Sequence, residues 1–124
     1  MNRVGIIGAG RFGLSLAEAL SESGVEVLLI ERNSSLVQNA TTLVSEAVQG
    51  DATNVRALED AGLKECDTAI VAIGANVEAS LLATANCKEL GIQTVIAKAT
   101  SELQGKILEK LGAISNVVEV SCII

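Results

Sequence analysis

The chain has 124 residues, room for one compact domain whose core stands without disulfide or metal staples. Hydrophobic residues make up 49% of it, and 9 basic against 15 acidic residues leave a formal charge of −6. That content excludes a disordered tail, the acidic balance argues against nucleic acid, and no apolar run reaches the ~18 residues of a membrane helix.

The hydrophobic period switches repeatedly along the chain. Residues 3–7 read as a first strand, and residues 11–22 as a helix with Leu14, Ala17 and Leu20 on one stripe. Residues 25–30 form a nearly unbroken apolar run, the pattern of a strand covered on both faces. Asn33 and Ser34 open a second helix before a strand at 45–49; Val55, Leu58 and Ala61 then mark a helix over 54–61. A second continuous apolar strand falls at 68–73. The next helix spans 77–90 behind Asn76, and a strand follows at 94–97. Ser101 caps a helix over 101–111, and residues 117–120 read as the sixth strand. Gly24, Gly62, Gly91 and Gly112 each stand just past a helix, where a left-handed closing residue is wanted. Strict alternation with short connections predicts an α/β fold: a single Rossmann-type domain over 1–124. Its doubly wound parallel sheet is expected in the order 3-2-1-4-5-6. The apolar ending Ser121-Cys122-Ile123-Ile124, directly after the sixth strand, suggests a cut chain or a tail that docks on a partner.

Gly8-Ala9-Gly10-Arg11-Phe12-Gly13 is a complete G-x-G-x-x-G between a strand and a helix. Gly8 allows the tight turn, Gly10 lets a pyrophosphate approach the backbone, and Gly13 lets the helix lie close to the strand. The helix N-terminus offers free N–H groups and partial positive charge to phosphates. Glu31, about 20 residues on, ends the second strand where an adenosine ribose belongs. There it is either the ribose ligand, favouring NAD, ADP or ATP over NADP, or a solvated charge; Arg32 beside it could reach a 2′-phosphate. Asp51 and Ala52, after the third strand, border the adenine position, and Asp51 either accepts from the base or caps the next helix. Ile73 and Gly74 follow the fourth strand across the switch point. Lys98, just past the fifth, is either solvated or aimed at a terminal phosphate. Arg11 shares that alternative.

Missing residues narrow the chemistry. The chain has no His, Tyr or Trp, and Phe12 is its one aromatic. Histidine acid–base catalysis, Ser-His-Asp triads, histidine metal sites and aromatic platforms for single strands are all excluded. No catalytic residue and no metal-ligand set is expected. Cys66, Cys87 and Cys122 have no C-x-x-C spacing and read as reduced packing residues. The start at Met1-Asn2-Arg3 shows no leader pattern, so a cytoplasmic location is expected.

Taken jointly and in this order, several motifs closely resemble the RCK/KTN family, the regulatory domains of bacterial Trk and Ktr potassium transport. They are the glycine loop, Gln49-Gly50-Asp51-Ala52-Thr53, Val71-Ala72-Ile73-Gly74-Ala75-Asn76, Ile96-Ala97-Lys98-Ala99 and Leu108-Glu109-Lys110-Leu111-Gly112-Ala113. The resemblance implies a non-enzymatic domain that binds NAD(H) or ADP/ATP. It also implies homo-oligomers, dimers or rings, that gate a potassium-transporting membrane subunit from its inner face. By the same resemblance Gly8, Gly10 and Gly13 hold phosphates, Glu31 the ribose, Asp51 and Ala52 the adenine, and Arg11 and Lys98 the terminal phosphates. The chain departs from the pattern after Ala113, where the usual Pro-Glu is missing and Glu119 lies one position away. Gln104 stands near a usual histidine, and the family's C-terminal ligand subdomain is absent. The alternative is the cofactor half of an NAD-dependent dehydrogenase, although no acid or base adjoins Ile73-Gly74 in the sequence.

Overall fold

The computed structural model describes residues 2–117. Its elements in chain order are β1 (Arg3–Ile7), α1 (Arg11–Glu22), β2 (Glu26–Glu31), α2 (Ser34–Ala40), β3 (Glu46–Gln49) and α3 (Val55–Asp60). After a 3₁₀ turn (Leu63–Glu65) come β4 (Thr68–Val71), α4 (Val77–Glu89), β5 (Thr94–Ala99), α5 (Glu102–Lys110) and β6 (Ile114–Val117). All pairings are parallel and the sheet runs β3-β2-β1-β4-β5-β6, as expected from the alternation.

Burial explains the strand composition. In β1, β2 and β4 consecutive residues are buried, because helices cover both faces of the middle of the sheet. Leu28, Ile30, Ala69, Val71 and Val95 face Leu58, Ala83, Cys87 and Leu108 of α3, α4 and α5. Val4, Ile6, Val27, Leu29 and Ile70 face Ala17 and Ala40 of α1 and α2. At the edge of the sheet β3 has no fully buried residue.

Capping follows the polar residues. Asn33 accepts from the N–H of Ser35, Asn76 from Ala79 and Ser101 from Gln104. Gly24, Gly62, Gly91 and Gly112 all have positive φ, between 82° and 98°. On the edge away from the helix N-termini, the Arg3 guanidinium joins three strands by pairing with Glu26 and, at 3.0 Å, with Glu46.

Three expectations need correction. The sixth strand begins at Ile114, three residues early, because Gly112 turns the chain and Ala113 buries at once, carrying Ile114 alongside Ile96. The more apolar stretch after it misled the periodicity; residues 118–120, Glu119, Cys122 and the apolar ending lie outside the described residues. β5 continues to Ala99, so Lys98 lies within the strand. Asp51 is not a helix cap, since Asn54 takes that role by accepting from the Arg56 N–H at 3.0 Å.

Candidate functional site

The carboxyl ends of β1, β2, β3 and β4 meet around a cleft of about 200 Å³. Gly8 has φ 105°, a conformation open to glycine, and its N–H donates to the Ile30 carbonyl at 2.9 Å. Gly13 presses on the same loop from α1. A Cβ on it would overlap the Gly8 carbonyl oxygen, so glycine alone lets the helix lie this close. Gly10 is different. It precedes α1 in extended backbone, no side chain caps the helix, and a Cβ there would meet nothing within 4 Å. The first-turn N–H groups of this 12-residue helix therefore face open space with partial positive charge.

Glu31 is the last residue of β2 and is half-buried. One carboxylate oxygen accepts from the Ala9 N–H at 2.8 Å and the other from the Asn33 N–H at 2.7 Å. Each oxygen keeps a lone pair for a further donor, so the side chain is fixed without being used up.

Asp51 closes its own turn. One oxygen accepts both the Thr53 N–H (2.9 Å) and the Thr53 hydroxyl (2.7 Å). Those bonds, with a smaller contribution from the Arg32 charge, hold its carboxyl below the usual aspartate range. Ala52 beside it is buried, and its carbonyl accepts from the Asn86 side chain at 3.0 Å, which anchors the loop to α4.

Lys98 leaves the sheet on the α1 face. Its ammonium sits 5.2 Å from the centre of the Phe12 ring. A Cβ on Gly74 would lie 3.1 Å from it. An amine therefore does adjoin Gly74, correcting the sequence-based expectation of no acid or base there.

Of the anticipated residues, Gly8, Glu31, Asp51, Ala52 and Ile73 line the cleft. Gly10, Arg11, Phe12, Gly13, Gly74 and Lys98 do not; Gly10 stands at the N-cap of α1 and Arg11 to Gly13 form its first turn, while Lys98 lies beside both Phe12 and Gly74. Ile7 and Ile30 also line the cleft and were missed, their signal being the last apolar position before each loop. Asn76 and Ala79, the α4 cap and its donor, complete the far wall. No group of three or more potential metal ligands occurs among the described residues, and no helix there is long and apolar enough to cross a membrane.

Strand order, crossover and glycine loop define a Rossmann-type domain with its cleft at the switch point. The TrkA-N domain family model matches residues 4–119, and the chain belongs to that family. It is 44% identical over 108 residues to the Ktr system potassium uptake protein C of Bacillus subtilis (strain 168), covering 87% of this chain and 49% of that protein. The chain spans about half the length of this protein and of the Ktr system potassium uptake proteins A it also matches. Among solved structures it resembles the TrkA-N domain of the Escherichia coli inner membrane protein ybaL, with TM-score 0.82 and 25% identity, over 97% of this chain and 88% of that one. It also resembles GsuK bound to ADP, with TM-score 0.77 and 31% identity, over 95% of this chain and 30% of that one.

Proposed function

We propose that this domain is the nucleotide-sensing part of a potassium-uptake regulator, binding an adenine nucleotide, NAD(H) or ADP/ATP, without turnover. The observation that carries the reading is the Glu31 carboxylate pinned to the glycine loop at Ala9 on the wall of the cleft, with open space above Gly10. Its likeness to a potassium uptake protein and to GsuK bound to ADP supports the same reading.

The residues fit such a ligand. About 200 Å³ is below the ~300–1,000 Å³ of pockets that enclose a whole drug-sized ligand. It suits a nucleoside, with phosphates running out over α1. Ile7, Ile30, Ala52 and Ile73 supply apolar walls for adenine, and Glu31 would accept the ribose hydroxyls while repelling a 2′-phosphate. The Gly8–Gly13 loop and the free α1 N–H groups would hold the pyrophosphate, and Arg11 and Lys98 a terminal phosphate. A bound nucleotide supplies charge and shape here, and no reaction is assigned to it.

Regulation follows from differential affinity. If two nucleotides bind two arrangements of a homo-oligomer unequally, the ratio of affinities sets how far a membrane-embedded potassium-transporting partner is shifted between states. In this reading the domain works at the cytoplasmic side of the membrane.

Calorimetry of the purified chain with NAD, NADH, ADP and ATP tests the first part. At least one should bind and, at a hundredfold excess over its Kd, stabilise the fold by about 2.7 kcal/mol. Binding by none of the four overturns the proposal. Potassium uptake by cells whose full-length regulator carries Gly10→Val tests the second part, and uptake that still responds to nucleotide supply would defeat it.

A further inference from the structure

Resting on the nucleotide reading above, we propose that Phe12 is a positioning residue for Lys98. Its ring face holds the ammonium beside Gly74, at the open end of α1, where it meets the outermost phosphate of a bound nucleotide.

The surroundings of Lys98 are unfavourable by themselves. Along β5, Val95, Ala97 and Ala99 are buried under α4 and α5, so Thr94, Ile96 and Lys98 face α1. That sends a lysine toward the first turn of a helix, whose exposed N–H groups carry partial positive charge, and cation beside positive pole is repulsive. Among the described residues Lys98 has no carboxylate partner, the ion pairs being Arg3 with Glu26 and Glu46, and Lys64 with Glu59. What holds it is the negative face of Phe12 at 5.2 Å, within the range of an attractive cation–π contact. Gly74 completes the seat, since a Cβ there would stand 3.1 Å from the ammonium nitrogen.

Position then gives this seat its ligand. Ile73, one residue before Gly74, lines the nucleoside cleft, and Gly10, two residues before Phe12, is the glycine with open space above it. The ammonium and the helix pole therefore converge from two sides on a volume that continues outward from the cleft. An anion between them turns the repulsion into two attractions. Nucleoside and distal phosphate are read by different elements, β2 and β3 for the first, α1 and β5 for the second.

The test compares calorimetric affinities for adenosine and ADP across wild type, Phe12→Leu, Phe12→Tyr, Lys98→Met and the Phe12→Leu/Lys98→Met double variant, with melting temperatures to confirm folding. Phe12→Leu should weaken ADP about fivefold, Phe12→Tyr should keep the wild-type affinity, and adenosine should be unaffected by either. The double variant should bind ADP no more weakly than Lys98→Met alone. Equal loss for adenosine and ADP, or losses that multiply in the double variant, would overturn the positioning role. Should Phe12→Leu not fold, Gly74→Ala displaces the ammonium with the ring intact and should show the same ADP-selective loss; unchanged ADP affinity there overturns the role equally. Wild type that binds neither of these nor NAD, NADH or ATP defeats the nucleotide reading itself, whereas wild-type binding of ADP with an undiminished Phe12→Leu affinity defeats this inference alone.

Discussion

Glu31 and Ala9, 22 positions apart in the chain, are joined by a 2.8 Å hydrogen bond from the Ala9 N–H to the Glu31 carboxylate. The second carboxylate oxygen takes the Asn33 N–H, so one side chain fastens the loop after β1 to the loop after β2.

Removing that fastening should cost stability before any ligand is considered. Glu31→Ala loses two charge-assisted bonds to backbone donors, about 1–3 kcal/mol in all, read as a lower urea midpoint at unchanged slope. Glu31→Gln keeps one acceptor and should lose roughly half as much. A midpoint unmoved in both would mean that the loops hold themselves.

The glycines of the first loop should separate into two kinds. Gly13→Ala forces a methyl onto the Gly8 carbonyl oxygen, and an overpacked backbone contact costs about 1–3 kcal/mol or more. Gly10→Ala points its methyl into open space and should change stability by less than about 0.5 kcal/mol. Under the proposed function its effect should appear in the affinity for a nucleoside diphosphate. Denaturant titrations beside calorimetry distinguish the two; equal destabilisation by both would contradict the geometry.

Asp51 titrates low because Thr53 bonds to its charged form. A depressed acid contributes stability above its unfolded pKa near 3.9 and loses it as pH falls through the folded value. Thr53→Val removes the hydroxyl bond and should raise the Asp51 pKa toward the ordinary value, followed by the carboxyl carbon shift in an NMR titration. No movement would place the cause elsewhere.

At the alkaline end, Cys87 is the group to watch. Burial pushes its thiol up to about 12, with Cys66 adding to the effect. In the unfolded chain a thiol ionises near 8.5, so the folded form holds a proton the unfolded form gives up. The stability involved is complete below about pH 8.5 and falls by about 1.4 kcal/mol per unit as the pH climbs toward 12. Cys87→Ala should flatten the slope, and a wild-type slope retained in that variant would rule Cys87 out as its source.

The architecture was legible because its signals are local and repeated. Apolar runs such as Val27-Leu28-Leu29-Ile30 occur where a strand is covered twice, and each Gly past a helix took the left-handed turn. The cleft was half legible. Gly8, Glu31, Asp51, Ala52 and Ile73 stand next to strand ends, which sequence spacing can find. Asn54 was passed over as a cap because Asp51 offers the same chemistry three residues earlier, and only backbone geometry decides which one accepts. Longer-range pairs leave no trace in spacing. Gln104 is buried with its side-chain oxygen accepting from the Thr100 N–H at 2.8 Å, and its amide reaches Ser80 at 3.4 Å on another helix. The seat of Lys98 on Phe12 is hidden in the same way, set by how α1 crosses the sheet.

The pairing of β1 with β4 places Val4 beside Thr68, with two helix–strand units, α3 and the 3₁₀ turn lying between them in the chain. Contacts of such long separation are entropically slow to close. Ile7 and Ile73 come to line one cleft only once this seam is shut. A newly made chain thus joins the two halves of its sheet before it has anything to offer a guest molecule. Occupancy should therefore lengthen the lifetime of the finished fold, on the unfolding arm of a chevron, and leave the speed of reaching it unchanged.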